Sequence, residues 1–267
     1  MDDKPAGLAG QIDTSRPSIA RVYDYWLGGK DNFAVDRALA DAIAEQYPAS
    51  RDMAIDNRRF LSRAVPWCVR QGCSQFLDLG AGLPTAENTH QSARTADPSA
   101  RAVYVDLDPV AVLHAQALLA GSPGIGAALA DLRDPGAVLA HQAVCEVIDF
   151  SRPAGIIMTM VLHFCPVRQA REIVAEYVKV LVPGSFLILS IGRNDDAELF
   201  EKVRGQYSAA GDLYNHSRDE VLSFFGDGLE LVTPGLVLAH AWRGGMPDAG
   251  LKPDGAGYAL AGVAVRR

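Results

Sequence analysis

Cysteine is scarce in this 267-residue chain: Cys68, Cys73, Cys145 and Cys165 are too few and too scattered for a disulfide framework. That excludes a small stapled scaffold and points to reduced thiols in a cytoplasm. No apolar run approaches the roughly 18 residues that a membrane helix needs, and the opening MDDKPAGLAG lacks the basic and apolar regions of a secretory leader. A soluble cytoplasmic protein without a membrane partner is expected. Basic charge is short as well, with 25 Lys and Arg against 32 Asp and Glu and a net charge of -7. Such a field repels phosphate backbones, so no nucleic-acid partner is expected. The six histidines (90, 114, 141, 163, 216 and 240) form no ligand spacing, and no metal is expected. Internal repeats and low-complexity blocks are absent too.

The chain is long enough for one sizeable α/β domain with an extension. Residues 1–17, rich in Gly, Pro, Asp and Ser, read as a flexible tail. Residues 18–73 read as an N-terminal helical cap. Its first helix is capped by Ser18, carries Ile19, Val22, Tyr23 and Trp26 at helical spacing, and ends at Gly28-Gly29. A second helix is expected over 35–47 and a third over 51–70, kinked or shortened by Pro66.

From Ser74 short apolar runs alternate with helical patterns, the mark of a parallel sheet covered on both faces. Strands are expected at 75–80, 101–108, 126–132, 154–162 and 184–192. Helices are expected near 86–96, 109–120, 135–143, 167–181, 196–209 and 218–226, the last opened by a Ser217/Glu220 capping box. Two final strands, 229–242 (broken at Pro234-Gly235) and 257–267, close the chain.

The sheet opens with FLDLGAGLPT, in which a strand runs into Gly80-Ala81-Gly82, a turn that lets a ligand approach the backbone. A pyrophosphate-binding turn would place its third glycine at position 85, which is Thr85. Asp78, just before the turn, favours a cationic group over a phosphate. The second strand ends in VDLDP, where Asp106 can take both ribose hydroxyls, and the third in ADLRDP, where Asp131 and the Leu132 amide can meet an adenine ring. Each acid alone reads equally well as a helix cap. Three acidic tips in succession suit a ligand without phosphate.

The order FLDLGAGLPT, VYVDLDP, ADLRDP, MTMVLHFCP, LVPGSFLILS resembles the class I S-adenosylmethionine-dependent methyltransferases. RVYDYWLGGKDNFAVDR, followed by NRRFLSRAV and LDLGAGLPT, is similar more narrowly to a bacterial S-adenosyl methyltransferase family formerly known as a domain of unknown function. The similarity runs from Pro17 to the C-terminus and departs at Leu107, where Asn is expected. It implies an α/β, Rossmann-like, doubly wound seven-stranded sheet whose last strand is antiparallel. It further implies S-adenosylmethionine as cofactor, with residues 74–267 as the methyltransferase domain that binds it; the acceptor does not carry over from the resemblance, and a small-molecule methyl acceptor is the leading expectation. Gly80, Ala81, Gly82, Asp78, Asp106, Leu107, Asp131, Leu132 and Met160 are then cofactor contacts, together with Tyr23 and with Arg58, which suits the methionine carboxylate. The segment around Tyr23 and Tyr25 becomes a lid over the strand tips.

His163, in VLHFCP after the fourth strand, is the candidate base, with Tyr25 beside the acceptor; His163 reads otherwise as a histidine bonded to the loop backbone. Cys165 reads as a structural thiol, because the fourth strand lacks the Pro-Cys pair of pyrimidine C5 methylation. The Asn/Asp-Pro-Pro-aromatic tetrad of amino methylation on bases is also missing. The acceptor pocket is expected from the N-terminal helices and residues 193–218, with Arg193, Tyr207, Tyr214 and His216. An NAD-dependent oxidoreductase, opposed by Thr85, Asp78 and Asp131, and a non-catalytic S-adenosylmethionine-binding regulator remain as alternatives. Oligomerisation stays open.

Overall fold

The computed structural model describes residues 12–84, 87–119, 121–193, 196–226, 228–243 and 259–267. Three helices come first: α1 (Ile19–Trp26), α2 (Ala34–Gln46) and α3 (Ser50–Arg70). Ser18 does not cap α1 with its side chain; its backbone N–H donates instead to Asp36 at 2.8 Å. Gly28 does end the helix, at φ 81°. Pro66 neither stops nor shortens α3. That helix buries a face from Met53 to Val69, and this packing outweighs the one backbone bond the proline removes.

The remaining elements are β1 (Gln75–Leu79), α4 (Thr89–Arg94), β2 (Arg101–Asp106), α5 (Pro109–Leu119), β3 (Ile125–Leu129), α6 (Pro135–Leu139) and α7 (Gln142–Val147). Then come β4 (Gly155–Thr159), α8 (Val167–Lys179), β5 (Phe186–Ile191), α9 (Ala197–Tyr207) and α10 (Arg218–Leu222). Last are β6 (Leu229–Leu231), β7 (Val237–Leu238) and β8 (Leu260–Arg266). The helix expected over 135–143 is two short ones, because His141 Nδ1 accepts the Ala143 N–H at 3.2 Å and starts a new helix. Most expected strands overrun by one to three residues at their tips, where the backbone leaves the ladder to form the loops of the site. Residues 1–11 of the expected tail, 86 and 120 of the expected helices, and 257 and 258 of the expected last strand lie outside the described residues.

The sheet order is β3-β2-β1-β4-β5-β8-β6, with β7 pairing β8 off this path. Pairing is parallel from β3 through β5, and β8 runs antiparallel between β5 and β6. Two-residue β7 makes the strand count eight where seven were expected. It shares an edge of β8 with β6, so the pair is one strand interrupted at Pro234-Gly235. The order reverses beside β1, whose neighbours β2 and β4 send their connections to opposite faces and leave a crevice above the tips.

Side chains alternate between the faces as period-two strands must. Phe76, Ile157 and Ile188 pack against the helical cap with Phe60, Ala64 and Trp242, while Leu77, Leu79, Val105, Met158 and Leu189 pack under α8 with Tyr177. The register places Phe76 opposite Gly155, where an added Cβ would stand 2.5 Å from the Phe76 ring. Gly155→Ala is therefore expected to overpack the β1–β4 seam and cost about 1–3 kcal/mol in chemical denaturation; unchanged stability would show that the seam can relax.

Candidate functional site

The first strand tip sets the backbone of the site. After β1 the chain turns through Gly80 (φ 70°) and Gly82 (φ 67°), and the N–H groups of Gly80 and Ala81 both donate to Val105 O at 2.8 and 3.1 Å. A Cβ on Gly80 would meet Val161 at 2.3 Å, so glycine is required by conformation and by close approach. Asp106, at the end of β2, accepts from Gly82 N at 2.7 Å through one oxygen and from Asp108 N at 2.8 Å through the other. Burial pushes its carboxyl up to about 6 despite those two bonds.

Asp78 is buried on β1 and accepts the Thr89 hydroxyl at 2.6 Å. Burial raises its pKa, with the Thr89 bond and the charge of Arg58 acting against the rise. Arg58 itself stands over the Tyr23 ring, 5.8 Å from its centroid, and its buried Nε has no hydrogen-bond partner. A guanidinium left open beside a carboxylate is the donor set that the two ends of an amino acid require. Tyr23 is fixed by a chain of bonds: its hydroxyl donates to Ala54 O at 3.0 Å and accepts from Asn57 Nδ2 at 2.9 Å, while Asn57 Oδ1 accepts from Ser190 Oγ at 2.5 Å.

Asp131, beyond β3, is gripped by Arg133, whose Nε and Nη2 donate at 2.9 and 2.6 Å. Burial pushes this carboxyl up, but the Arg133 bonds and charge outweigh it and hold the pKa below the usual value. Leu132 O accepts from Tyr177 OH at 3.1 Å. After β4, Met160 adopts φ 57°, a left-handed conformation unfavourable for a side chain of its length, held by its N–H to Ser190 O at 2.9 Å.

The cap closes over these tips through one buried cation. Arg21 Nε lies 3.2 Å from Asp36 and 3.6 Å from Asp108, and its Nη atoms donate to Asp13 O and Arg16 O. Asp36 also takes the N–H groups of Ser18 and Phe33. This brings Pro17 to Arg21 and Tyr23 into the wall above Asp106. The Gly28-Gly29 pair serves a local turn instead: a Cβ on Gly29 would strike Asp24, whose carboxylate holds Asp31 N and Asn32 Nδ2. Trp26 anchors α1 on α2, donating to Ala40 O at 3.3 Å.

The result is a cleft of about 600 Å³, a size common for small-molecule sites. Tyr23, Arg58, Asp78, Gly80, Ala81 and Gly82 line it, and so do Asp106, Leu107, Asp131, Leu132 and Met160. A second, smaller pocket of about 70 Å³ lies behind it, and Ile19, Tyr23, Met160 and Phe164 form the wall common to both. His163, Arg193, Tyr207 and Tyr214 line this inner pocket. His216 does not; it is buried with Nε2 against Leu162 O and Cys165 O. Tyr25 lines neither space, since two positions along a helix lie roughly 200° around it from Tyr23. His163 is buried, its Nδ1 accepts the Gly192 N–H at 3.3 Å, and burial drops its pKa to about 3, so its ring is neutral. Cys165 is buried beside the cleft, and burial raises its thiol. Sequence reasoning missed Arg21, Asn57, Thr89 and Arg133. Asn57 adjoins Arg58 in DNRRF, but the Thr89 contact to Asp78 spans eleven residues with no periodic signal.

Among the described residues no group of His, Cys, Asp and Glu is arranged to hold a metal ion, and no helix is long and apolar enough to cross a membrane.

Comparison with known proteins identifies the family and the fold. The family model for S-adenosyl methyltransferases matches residues 5–267. A crystal structure from Thermobifida fusca YX, assigned as a methyltransferase, is 40% identical with a TM-score of 0.88, and the match covers 100% of both chains. A DUF574 family protein from Streptomyces avermitilis MA-4680 is 34% identical with a TM-score of 0.88 over 96% of this chain and 99% of that one. Magnesium protoporphyrin IX methyltransferase from Synechocystis PCC 6803, with bound S-adenosylmethionine, shares the fold at 14% identity and a TM-score of 0.55, covering both chains fully. No curated protein matches.

The raised pKa of Asp106 gives a pH dependence with a definite sign. A ribose hydroxyl set on Asp106 would donate best to the ionised carboxylate, and affinity for S-adenosylhomocysteine would then be level above about pH 7 and weaken as pH falls through about 6. The same protonation favours the free folded protein, because a buried carboxyl prefers its neutral form, so affinity and stability should move in opposite directions on acidification. Titration calorimetry at several pH values tests this; affinity that stays level down to pH 5 would separate Asp106 from ligand binding.

Proposed function

This chain belongs to the S-adenosyl methyltransferase family and is an S-adenosylmethionine-dependent methyltransferase, and we propose that its cofactor lies across the strand tips with its sulfur end toward the inner pocket. The observation that carries this reading is the convergence of three acidic tips, an open guanidinium and the lid tyrosine on one cleft. Bound there, S-adenosylmethionine supplies a methyl group activated by a positive sulfur. Asp106 receives the ribose hydroxyls, and Asp131 with the Leu132 amide meets the adenine edge. Asp78 faces the ammonium and Arg58 the carboxylate. Gly80 to Gly82 let the backbone approach, while Leu107 covers the outer side. Tyr23 and Met160 flank the sulfur end, at the wall shared by the two cavities.

The acceptor is a small molecule entering the inner pocket, whose volume excludes a macromolecular substrate from its depth. His163 holds the loop through Gly192 rather than moving a proton, and the rate comes from aligning the acceptor behind the methyl group. We place the protein in a bacterial cytoplasm, on the support of four unpaired cysteines, three of them buried, and of relatives from bacteria.

Calorimetry with S-adenosylhomocysteine, S-adenosylmethionine and NAD tests the reading. Both sulfur ligands should bind and NAD should not. Asp106→Ala should lose about 30–150-fold in affinity, the equivalent of roughly 2–3 kcal/mol for two hydrogen bonds to a charged group, with an unchanged circular dichroism spectrum. NAD binding without either sulfur ligand, or unchanged affinity in the variant, would overturn it.

A further inference from the structure

Helix α3 runs beside both cavities and sets their order in space. Asn57, Arg58 and Leu61 line the cleft, while Ser50 and Met53, earlier on the same helix, line the inner pocket. Tyr23 stands in the wall common to both, and its hydroxyl is bonded to Ala54 O and to Asn57 Nδ2. Ser50 therefore sits about 6 Å before Ala54 along the helix axis, at the end of the inner pocket remote from the cleft. The pocket's volume of about 70 Å³ compares with the roughly 10–15 Å³ that one water needs, which leaves room for about five to seven heavy atoms, the size of a single ring.

The lining is aromatic and aliphatic, with Trp26, Ile43, Phe164, Phe200 and Leu213 in it. Among the described residues no carboxylate lines the pocket, Arg193 has a partner of its own, and burial keeps the His163 ring neutral. An ion of either sign would lose its water there without gaining a counter-charge, whereas a neutral molecule bears no such cost. Within this apolar lining a hydroxyl is left open. Ser50 is 1% exposed, its N–H donates to Tyr47 O at 3.1 Å, and its Oγ has no hydrogen-bond partner. Trp26 Nε1, the Tyr23 hydroxyl and His163 Nδ1 are by contrast engaged with Ala40 O, Ala54 O and Gly192 N. A buried hydroxyl without a partner is costly, and a ligand atom that pairs with it removes that cost.

We infer, resting on the methyl-transfer reading above, that the acceptor is a neutral molecule of single-ring size whose far end carries a hydroxyl or carbonyl oxygen paired with Ser50 Oγ. The methyl-accepting atom is then at the opposite end of the ring, at the Ile19–Tyr23–Met160–Phe164 wall. The spacing along α3 suits this arrangement, because about 6 Å is roughly the span between groups at opposite positions of a six-membered ring. Ser50 is in this way a specificity residue: it touches the acceptor one helical turn away from the reacting atom, and it selects for a neutral polar group at the blind end of an apolar pocket.

The test uses the full chain saturated with S-adenosylhomocysteine and four single-ring probes at neutral pH: phenol and toluene, which are neutral, benzoate, an anion, and benzylamine, a cation. Calorimetry should show that phenol and toluene bind, and that both ions bind at least about tenfold more weakly than phenol. Ser50→Ala should weaken phenol about 5–30-fold and leave toluene as tight or tighter, a difference that a merely structural loss would not produce. S-adenosylhomocysteine affinity should not change in that variant, since Ser50 does not line the cleft. Leu213→Trp, which fills the pocket, should abolish binding of both neutral probes and serves if Ser50→Ala misfolds. Silence of either neutral probe, an ion that binds as tightly as phenol, a Ser50→Ala loss that is absent for phenol or equal for toluene, or phenol binding indifferent to Leu213→Trp would overturn the inference. Loss of S-adenosylhomocysteine binding in the unaltered protein would instead sink the reading of the cleft.

Discussion

The buried Arg21 guanidinium is the joint on which the site depends. It stands between Asp36 of the cap and Asp108 of the β2 loop, and it also gathers the carbonyls of Asp13 and Arg16. A charge taken out of water is tolerated only with partners of this number and quality. Its carboxylate partners come from two parts of the chain, so burial of the pair requires that the cap sit on the sheet in one position. That position brings Tyr23 and Arg58 over the β1 tip, and Asp108 in turn gives its N–H to Asp106. Cap docking and the geometry of Asp106 are thus the same event.

The two cavities divide the chemistry by polarity. The outer cleft collects Asp78, Asp106 and Asp131 with Arg58 and Arg133, a set that matches a zwitterionic, sugar-bearing ligand group by group. The inner pocket is lined mainly by aromatic and aliphatic side chains. Met160 stands in the wall between them in a left-handed conformation, at a strain of about 1–3 kcal/mol that its bond to Ser190 and its packing hold in place. Such strain at a shared wall is consistent with a side chain whose position matters more than its comfort.

Much of this was legible in the sequence because strand tips announce themselves. Asp78, Asp106 and Asp131 each end an apolar run, and the Gly80-Ala81-Gly82 turn follows the first of them. The parallel order and the antiparallel strand followed from the alternation of elements and from the family resemblance. What was not legible depends on contacts across the chain. Thr89 reaches Asp78 from a strongly polar helix, and Arg133 turns back on Asp131 within two residues. Pro66 reads as a kink or a shortening, yet α3 is buried along its length and runs on to Arg70. Tyr25 sits beside Tyr23 in sequence and around the helix from it in space. Of the glycine pair, Gly28 ends α1 at a positive φ and Gly29 answers to the Asp24 side chain.

The most direct measurement is a crystal structure with S-adenosylhomocysteine bound. In it the ribose should sit on Asp106 and the sulfur within about 4.5 Å of Tyr23 and Met160, facing the inner pocket. A sulfur at the Asp131 end of the cleft, or one with solvent rather than the Ile19–Tyr23–Met160–Phe164 wall beyond it, would contradict that placement.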